Sequence, residues 1–512
     1  MKREMIKKVV IIPIILIPIL VMVSSSMNLQ EGKENVNEEW NKTFGGNYND
    51  KAEWVVQTND GGYIIAGYTG SYGAGDLDSW IIKTDPNGNE IWNKSFGGKK
   101  EDVAYCVREV NDGGYVVTGY SRSFGNGRED VWLIKTDENG NEEWNKTFGG
   151  KEGEYALSVI QAKDGGYVIV GNTESYGAGD KDIWLIKTDE NGNEEWNKTF
   201  GGRATEFGNY VIQTRDGRYV VGGETESYGH GKLDIWLIKT DENGNEEWNK
   251  TFGGSSMDRG EDVIQTKDGG YAITGESRPH ITVWDDVFLI KTSENGNMEW
   301  IKSFEGIHQD LGYSIIQTND GYLIGGTTHS YGASALANFK AWLIKTDKGG
   351  NEQWNKTFGK RGRESADCII QASDGSYIFV GGTDSYGAGK EDAWLVKCQD
   401  YPPPKIKIVK PRKGWLYIFD RKIIPIGKTI ILGGITVKVE GYDSEEKINR
   451  VEFYLDTPEA YEREPRAIIY EPPYEWKWDE PAIGPCLITS AAYYGNTEAH
   501  AADIINLWIF NI

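Results

Sequence analysis

The segment TDENGNEEWNKTFGG occupies residues 136–150 and recurs letter for letter at 188–202 and 240–254, 52 residues apart each time. An internal period of this length constrains the fold more than anything else in the chain, because each copy must build the same unit and bury its apolar face on a neighbour. The anchor tryptophan of the repeat falls at positions 40, 92, 144, 196, 248, 300 and 354. Each unit carries four short runs with strand chemistry: VVQT (55–58), YIIAG (63–67), WIIKT (80–84) and WNKTF, with close copies in later units. These β-branched and aromatic runs are separated by DGG and NGN, whose glycines and asparagines tolerate the positive φ of tight turns. The pattern predicts a four-stranded antiparallel meander per repeat.

A unit of about 50 residues with four strands matches a propeller blade better than a helical or leucine-rich repeat. The ends of the array carry the rest of the argument. The chain enters with a lone fourth strand, EWNKTF at 39–44, and leaves with a third strand, AWLVK at 393–397, that has no fourth. The orphan strand is what the last unit lacks, so the expectation is a seven-bladed β-propeller over 39–400 closed by its N-terminal strand, which removes exposed edges. The unit DGGY(I/V)(I/V)xG…DxWLIKTDxNGNxEWNKTFGG resembles the β-propeller repeats of exported bacterial and archaeal proteins, similar in architecture to kelch and WD-repeat propellers. That resemblance implies fold and export, and specifies no reaction. Residues 401–404, YPPP, read as a stiff linker. From 405 to 512 the runs KIKIVKP, ITVKVEGYD, NRVEFYLD, AIIYEPPYEWKWDEP, CLITSAAYYGN and INLWIFNI have sandwich spacing. With VEFYLD and PPYEWKWDEP as landmarks, this part resembles bacterial Ig-like domains, without the Cys…Trp…Cys signature of antibody domains. The whole chain is expected to be all-β.

The N-terminus sets the compartment. Lys2, Arg3, Lys7 and Lys8 precede an apolar run from Val9 to Val23 and then Ser24–Ser26, the layout of a secretory signal peptide over 1–26, with 27–38 as a linker. The run is short of the ~20 residues of a bilayer span, although Met5–Val23 stretches towards an anchor. Either way the chain is expected on the cell surface or secreted, its membrane contact confined to this segment. A net charge of −23 argues against nucleic-acid partners. The four cysteines, Cys106, Cys368, Cys398 and Cys486, have neither metal nor disulfide-framework spacing.

The longer loops share one face of such a propeller, and loops on a rigid scaffold carry function. An acidic residue precedes the first strand of every unit: Asp50, Asp102, Glu154, Glu206, Asp258, Asp310 and Glu364. Two readings are open, a carboxylate ring that recruits cations and a set of acceptors for loop N–H groups. Ca²⁺ is the one cofactor this ring raises, and no motif supports it. A second acidic column precedes the third strand (Asp78, Asp130, Asp182, Asp234, Asp286, Asp392), replaced by Lys340 in the sixth unit. The tips of the long loops carry Tyr72, Phe124, Tyr176, Tyr228, Tyr331 and Tyr386, with His280 at this place in the fifth unit. Aromatic tips suit sugar faces or protein surfaces, or pack on the neighbouring loop. His230, His280, His308 and His329 all fall in long-face loops, without HxH or HExxH spacing. Six NKT or NKS sequons lie on the fourth strands, at Asn41, Asn93, Asn145, Asn197, Asn249 and Asn355.

No nucleophile elbow, phosphate loop or zinc motif is present, so no catalytic residue and no metal ligand is assigned. The acidic residues read as nearly all periodic, which favours a binding, adhesive or structural module that takes a cell-surface glycan or protein on the long-loop face. The alternative is an extracellular propeller glycoside hydrolase or polysaccharide lyase.

Overall fold

The computed structural model describes residues 36–278, 284–331, 338–400, 406–441, 448, 450–456, 465–493 and 501–511. The expected signal peptide and linker up to residue 35, His280 and the YPPP segment lie outside the described residues. Two compact units divide the chain near residue 402.

The larger unit is built of repeated four-stranded antiparallel sheets, a propeller-like arrangement, with seven such sheets among the described residues. Six are meanders of consecutive strands, as in Asp50–Gln57, Tyr63–Thr69, Asp78–Thr84 and Glu90–Phe96. In the seventh, the strand Val36–Phe44 from the start of the unit pairs antiparallel with Asp392–Asp400, with Trp40 opposite Lys397 and Phe44 opposite Ala393. Each sheet packs on the next, and the first also packs on the last through a core that includes Val55, Ile65, Ile378 and Val380.

The repeated letters account for this packing. Second and third strands are buried over nearly their whole length, whereas fourth strands are only partly buried. The lysine of WLIKT is buried with the rest because the Asp of the DGG turn takes its charge, as Lys83 Nζ does at 2.8 Å from Asp60. Burial works against that Asp60 carboxylate, yet the Lys83 and Thr58 hydrogen bonds hold it at about 2. In the NGN turn the Asp137 carboxylate accepts the Asn139 and Asn141 N–H groups at 2.8 Å. Gly140 has φ 74°, and a Cβ there would lie 2.6 Å from the Trp92 ring of the preceding repeat. Six anchor tryptophans, Trp40, Trp92, Trp144, Trp196, Trp248 and Trp300, seat in this way on the turn glycine of the next repeat, while Trp354 packs in the core with Val36.

The smaller unit is two sheets around one core that includes Val437, Phe453, Trp478, Ile488 and Ile509. Ile406–Lys410, Ile435–Gly441 and Tyr474–Trp478 form the three-stranded sheet. The seven-stranded sheet includes three short strands that sequence patterning misses: Trp415–Ile418, Arg421–Pro425 and Ile430–Leu432.

Candidate functional site

The first strand of six of the seven sheets carries a register shift at the same place. In the first sheet it falls between Ala52, opposite Gly67, and Trp54, opposite Ala66, so Glu53 is an unpaired bulge residue. The same shift leaves Tyr105, Leu157, Asn209, Glu261 and Tyr313 unpaired in sheets two to six. Asp367 holds the corresponding position in the seventh, just before the shortened strand Cys368–Gln371. A bulge re-aims the side chain it leaves unpaired. All seven of these residues line one cavity of about 400 Å³.

The cavity is lopsided. Where the second strands of the first two sheets carry Tyr68 and Tyr120, the sixth and seventh carry Thr327 and Gly382, and Ser365 stands where the third carries Tyr155. Thr327, Ser365 and Gly382 all line the hollow. A Cβ on Gly382 would lie 2.2 Å from Glu391 Oε1, so the missing side chain is what admits the Glu391 carboxylate.

Charge is concentrated on this side. Lys51 Nζ lies 3.1 Å from Glu53 Oε1 and 3.0 Å from Asp367 Oδ2, so these two oxygens are within about 6 Å of each other. Burial is the main cause that raises Glu53 to about 7, against the pull of Lys51. Burial also raises Glu391. Lys51 is held well above its ordinary value: burial alone would lower it, and the Asp367 and Glu53 carboxylates overcome that. Glu364, fully buried, lines the cavity with its Oε1 unpartnered, while its Oε2 accepts Lys340 Nζ at 2.6 Å. A second acidic group stands on sheets four and five. Glu224, Glu261 and Glu276 are all raised, first by burial, and Arg259 is the neighbouring cation. Asn209 Nδ2 donates to Glu224 at 3.2 Å.

Trp54 and Tyr210, which also line the cavity, have ring centroids 5.6 Å apart. The Arg108 guanidinium lies 4.5 Å from the Trp54 ring and donates to Tyr210 Oη at 3.2 Å and to Val159 O at 3.2 Å. In the other six repeats its position is Val56 or an isoleucine. Asp262, buried beside this group, accepts the Ile315 N–H at 2.9 Å and is pushed up to about 7, chiefly by burial.

The expectation that the acidic residues are nearly all periodic is therefore corrected. Glu53, Glu224, Glu261, Glu276, Asp367 and Glu391 stand at columns that vary from repeat to repeat, and the fold gathers them. The signal was present in the sequence: among near-identical repeats, the fourth residue of the first strand reads Glu, Tyr, Leu, Asn, Glu, Tyr, Asp.

The periodic candidates sit in local hydrogen bonds. Asp50 accepts the Gly46 N–H at 2.8 Å, the Ser71 hydroxyl at 2.6 Å and the Thr69 hydroxyl. Asp102, Glu154, Glu206, Asp258 and Asp310 make equivalent bonds. Asp78 accepts the Ala74 and Gly75 N–H groups at 3.0 and 2.9 Å.

The tip aromatics lay one face on the third-strand indole of their own sheet, as Tyr176 does on Trp184 at 5.3 Å and Tyr386 on Trp394 at 5.4 Å. Tyr72, Tyr228 and Tyr331 also donate to carbonyls of the preceding loop at 2.8–3.0 Å. The other face is open: Tyr72, Phe124, Tyr176 and Tyr228 are 44–46% exposed. His230 is exposed, His308 packs edge-on to Trp284, and His329 stacks on Phe339 with Nε2 unpartnered. Among the described residues no group of three His, Cys, Asp or Glu has metal-binding geometry, and all four cysteines are free and buried.

The sequon asparagines have a definite structural task. Asn93 Oδ1 accepts the Trp80 indole N–H at 3.1 Å, and its Nδ2 donates to Glu90 at 2.6 Å. Asn41, Asn145, Asn197, Asn249 and Asn355 repeat both contacts.

No protein-family model matches the sequence, and no curated protein matches it. Among solved structures the chain is similar to the extracellular domain of BT3049 from B. thetaiotaomicron, described as a hybrid two-component system, at 13% identity and TM-score 0.40 over 90% of this chain and 55% of that one. It is similar to the extracellular domain of BT4673 from the same organism at 12% identity and TM-score 0.39, over 90% and 56%. It is also similar to a puromycin hydrolase at 12% identity and TM-score 0.43, over 76% and 58%. The chain spans little more than half the length of each of these proteins.

Proposed function

We propose that this chain is an exported surface-binding protein: a seven-bladed β-propeller followed by an Ig-like β-sandwich, which takes the end of a saccharide into the cavity walled by the bulge residues. One observation carries this reading. The repeats share their turn and strand signatures, while the bulge column reads Glu, Tyr, Leu, Asn, Glu, Tyr and Asp, and all seven of these residues line one hollow. Columns that only pack stay narrow, as Ala or Gly does one place before and Val or Ile two places after; the column between varies too, and its Trp54 and Tyr210 also line the hollow.

The chemistry suits a polyhydroxylated ligand. Carboxylates of Glu53, Asp367 and Glu391 accept O–H groups, and Tyr105, Tyr313 and Trp54 offer ring faces for apolar sugar faces. Lys51 already neutralises two of the carboxylates, so a neutral ligand need not break a charge pair on entry. The tip aromatics would extend the contact outward, each ring adding about 0.5–1.5 kcal/mol. A glycan array probed with the full chain tests the proposal. Glu53→Gln with Asp367→Asn, made together with Lys51→Met so that no cation is left without its carboxylates, should abolish retention by a chain that still melts cooperatively, and Tyr176→Ala, Tyr228→Ala and Tyr331→Ala together should weaken it. Retention unaffected by the first set would overturn the cavity assignment.

A second reading has its own observation. Glu53, raised to about 7 chiefly by burial, and Asp367 share Lys51 with their oxygens within about 6 Å, a spacing near that of the two carboxyl groups a glycosidase uses as acid and base or nucleophile. Release of reducing ends from a retained glycan, lost in Glu53→Gln, would select the enzyme over the binder.

A further inference from the structure

The seven-stranded sheet of the C-terminal unit ends in a hairpin with an unusual surface. Trp415–Ile418 and Arg421–Pro425 pair antiparallel across a two-residue turn, Phe419–Asp420, whose φ angles are 46° and 64°. Such a turn normally carries Asn-Gly, and a bulky Phe at positive φ is rare. Asp420 holds the turn in place: its carboxylate accepts the Thr436 N–H at 2.8 Å, the Thr436 hydroxyl at 2.9 Å and Lys410 Nζ at 2.8 Å. The result is a fixed tip with the Phe419 side chain 78% exposed. Behind it the edge strand and its exit are exposed on both faces, with Ile423 at 44%, Ile424 at 50% and Ile426 at 38%.

The apolar surface continues across the sheet. Tyr417, Ile431 and Ile509 point into the core, so their sequence neighbours face out. Leu432 stands opposite Phe510, which stands opposite Ile483. Ile483 is 66% exposed, Trp508 45% and Phe510 41%, the last two rings 6.4 Å apart. Around this face the charge reverses. Residues 406–430 hold seven Lys or Arg and one Asp, in a chain whose net charge is −23. Arg412, Lys413, Arg421, Lys422 and Lys428 are exposed, and among the described residues none has a carboxylate within ion-pairing distance. The one acidic group, Asp420, is already spent on Lys410 and Thr436.

We infer that this face is a membrane-surface contact for an anionic lipid bilayer. A bilayer interface is the partner that accepts both features at once: anionic headgroups meet the basic rim, and Phe419, Ile424, Trp508 and Phe510 enter the headgroup–acyl boundary, where aromatic residues are favoured. A second copy seated face to face would set the five cations against their own images, which opposes that occupant. A soluble polyanion would satisfy the rim and leave the apolar residues in water.

The test uses the full chain, with Ile424→Cys labelled by bimane; the native cysteines are all buried. Vesicles of phosphatidylcholine with 30% phosphatidylglycerol should shift the label's emission to the blue, and pure phosphatidylcholine should not. Because the probe reports the hairpin itself, binding through the N-terminal apolar segment cannot imitate this result. Arg421→Glu with Lys422→Glu should weaken the vesicle-induced change at least tenfold, and Phe419→Ser with Phe510→Ser should abolish it while rim-dependent binding to a soluble polyphosphate persists. An unshifted label on anionic vesicles overturns the inference, as does a shift that follows protein concentration rather than lipid, which would indicate self-association.

Discussion

Lys340 allows repeat logic and electrostatics to be set against each other. Six repeats have Asp before the third strand, so restoring the majority residue with Lys340→Asp would ordinarily count as a stabilising consensus change. The surroundings of Lys340 argue the opposite. Its ammonium lies 2.6 Å from Glu364 Oε2, and the two side chains are 6% and 0% exposed. In the other sheets the equivalent acid is held by neutral donors, as Asp50 is by Gly46, Thr69 and Ser71. Glu364 has no such set: its Oε1 is unpartnered, and the Ser385 hydroxyl, which corresponds to that of Ser71, is unpartnered too. The sixth long loop also departs from the AGxxD pattern whose backbone N–H groups serve Asp78. Lys340→Asp therefore places a second carboxylate beside a buried one and removes its only charged donor. Breaking a buried pair costs about 3–5 kcal/mol. For a unit this large, at ~2 °C per kcal/mol, the fall in Tm is roughly 6–10 °C. Differential scanning calorimetry of the parent, Lys340→Asp and Lys340→Met measures it. Both variants should fall, the aspartate further. A Tm for Lys340→Asp equal to or above that of the parent refutes the argument and restores the consensus view.

Other outcomes follow from single contacts. Phe44→Ala, in the strand that completes the last sheet, should cost about 3–5 kcal/mol, and a chain starting at Asn47 should lose stability and recover part of it when a peptide of residues 36–46 is added; a truncated chain as stable as the parent means the strand is dispensable. Asp262, raised from 3.8 to about 7 in the fold, binds its proton more tightly when folded, so its effect is absent below pH ~4 and destabilises as pH rises to ~7. Asp262→Asn should match the parent at pH 4 in urea titrations and exceed it at pH 8 by up to about 4 kcal/mol; equal curves at both pH values would contradict this. Asn249→Ala should strand the Trp236 indole N–H and cost about 1–3 kcal/mol by thermal melting, whereas a surface asparagine would cost almost nothing. A reporter fused after Asn28 should be found outside the cytoplasm, and a cytoplasmic reporter would remove the export reading.

The repeat made the turns, the strands and the use of the orphan N-terminal strand legible, because each rests on a local rule: Asn-Gly for the turn, β-branched runs for strands, an unpaired edge for closure. The cavity was not legible by the same means. Six of its residues are bulges, and a bulge breaks the two-residue alternation from which strand faces are read. Glu53 and Asp367 fall on the varying column, and only the register places both on Lys51. In the C-terminal unit the longer strands follow the hydrophobic runs, but Arg421–Pro425 carries Arg, Lys and Pro and is exposed throughout, so nothing in its pattern marks it as a strand. It is one because Trp415–Ile418 offers it an edge.

The strand Val36–Phe44 is the first part of the sheet array to be synthesised, yet its partner, Asp392–Asp400, is the last. At about 5–20 residues per second the intervening chain takes roughly 20–70 s to emerge. Throughout that interval, near-copies of the waiting strand are produced, EEWNKTF at 142–148, 194–200 and 246–252, each bound for a third strand spelled almost like its own. Pairing by similarity alone would let the early strand settle on the first third strand that appears. Two things distinguish the proper partner: every other third strand is joined by a tight turn to a fourth strand of its own, and Asp392–Asp400 runs nine residues where the others run seven or eight, with Val36 opposite Asp400 in that extension. The two extra rungs act as an address that an early, wrong partner does not carry.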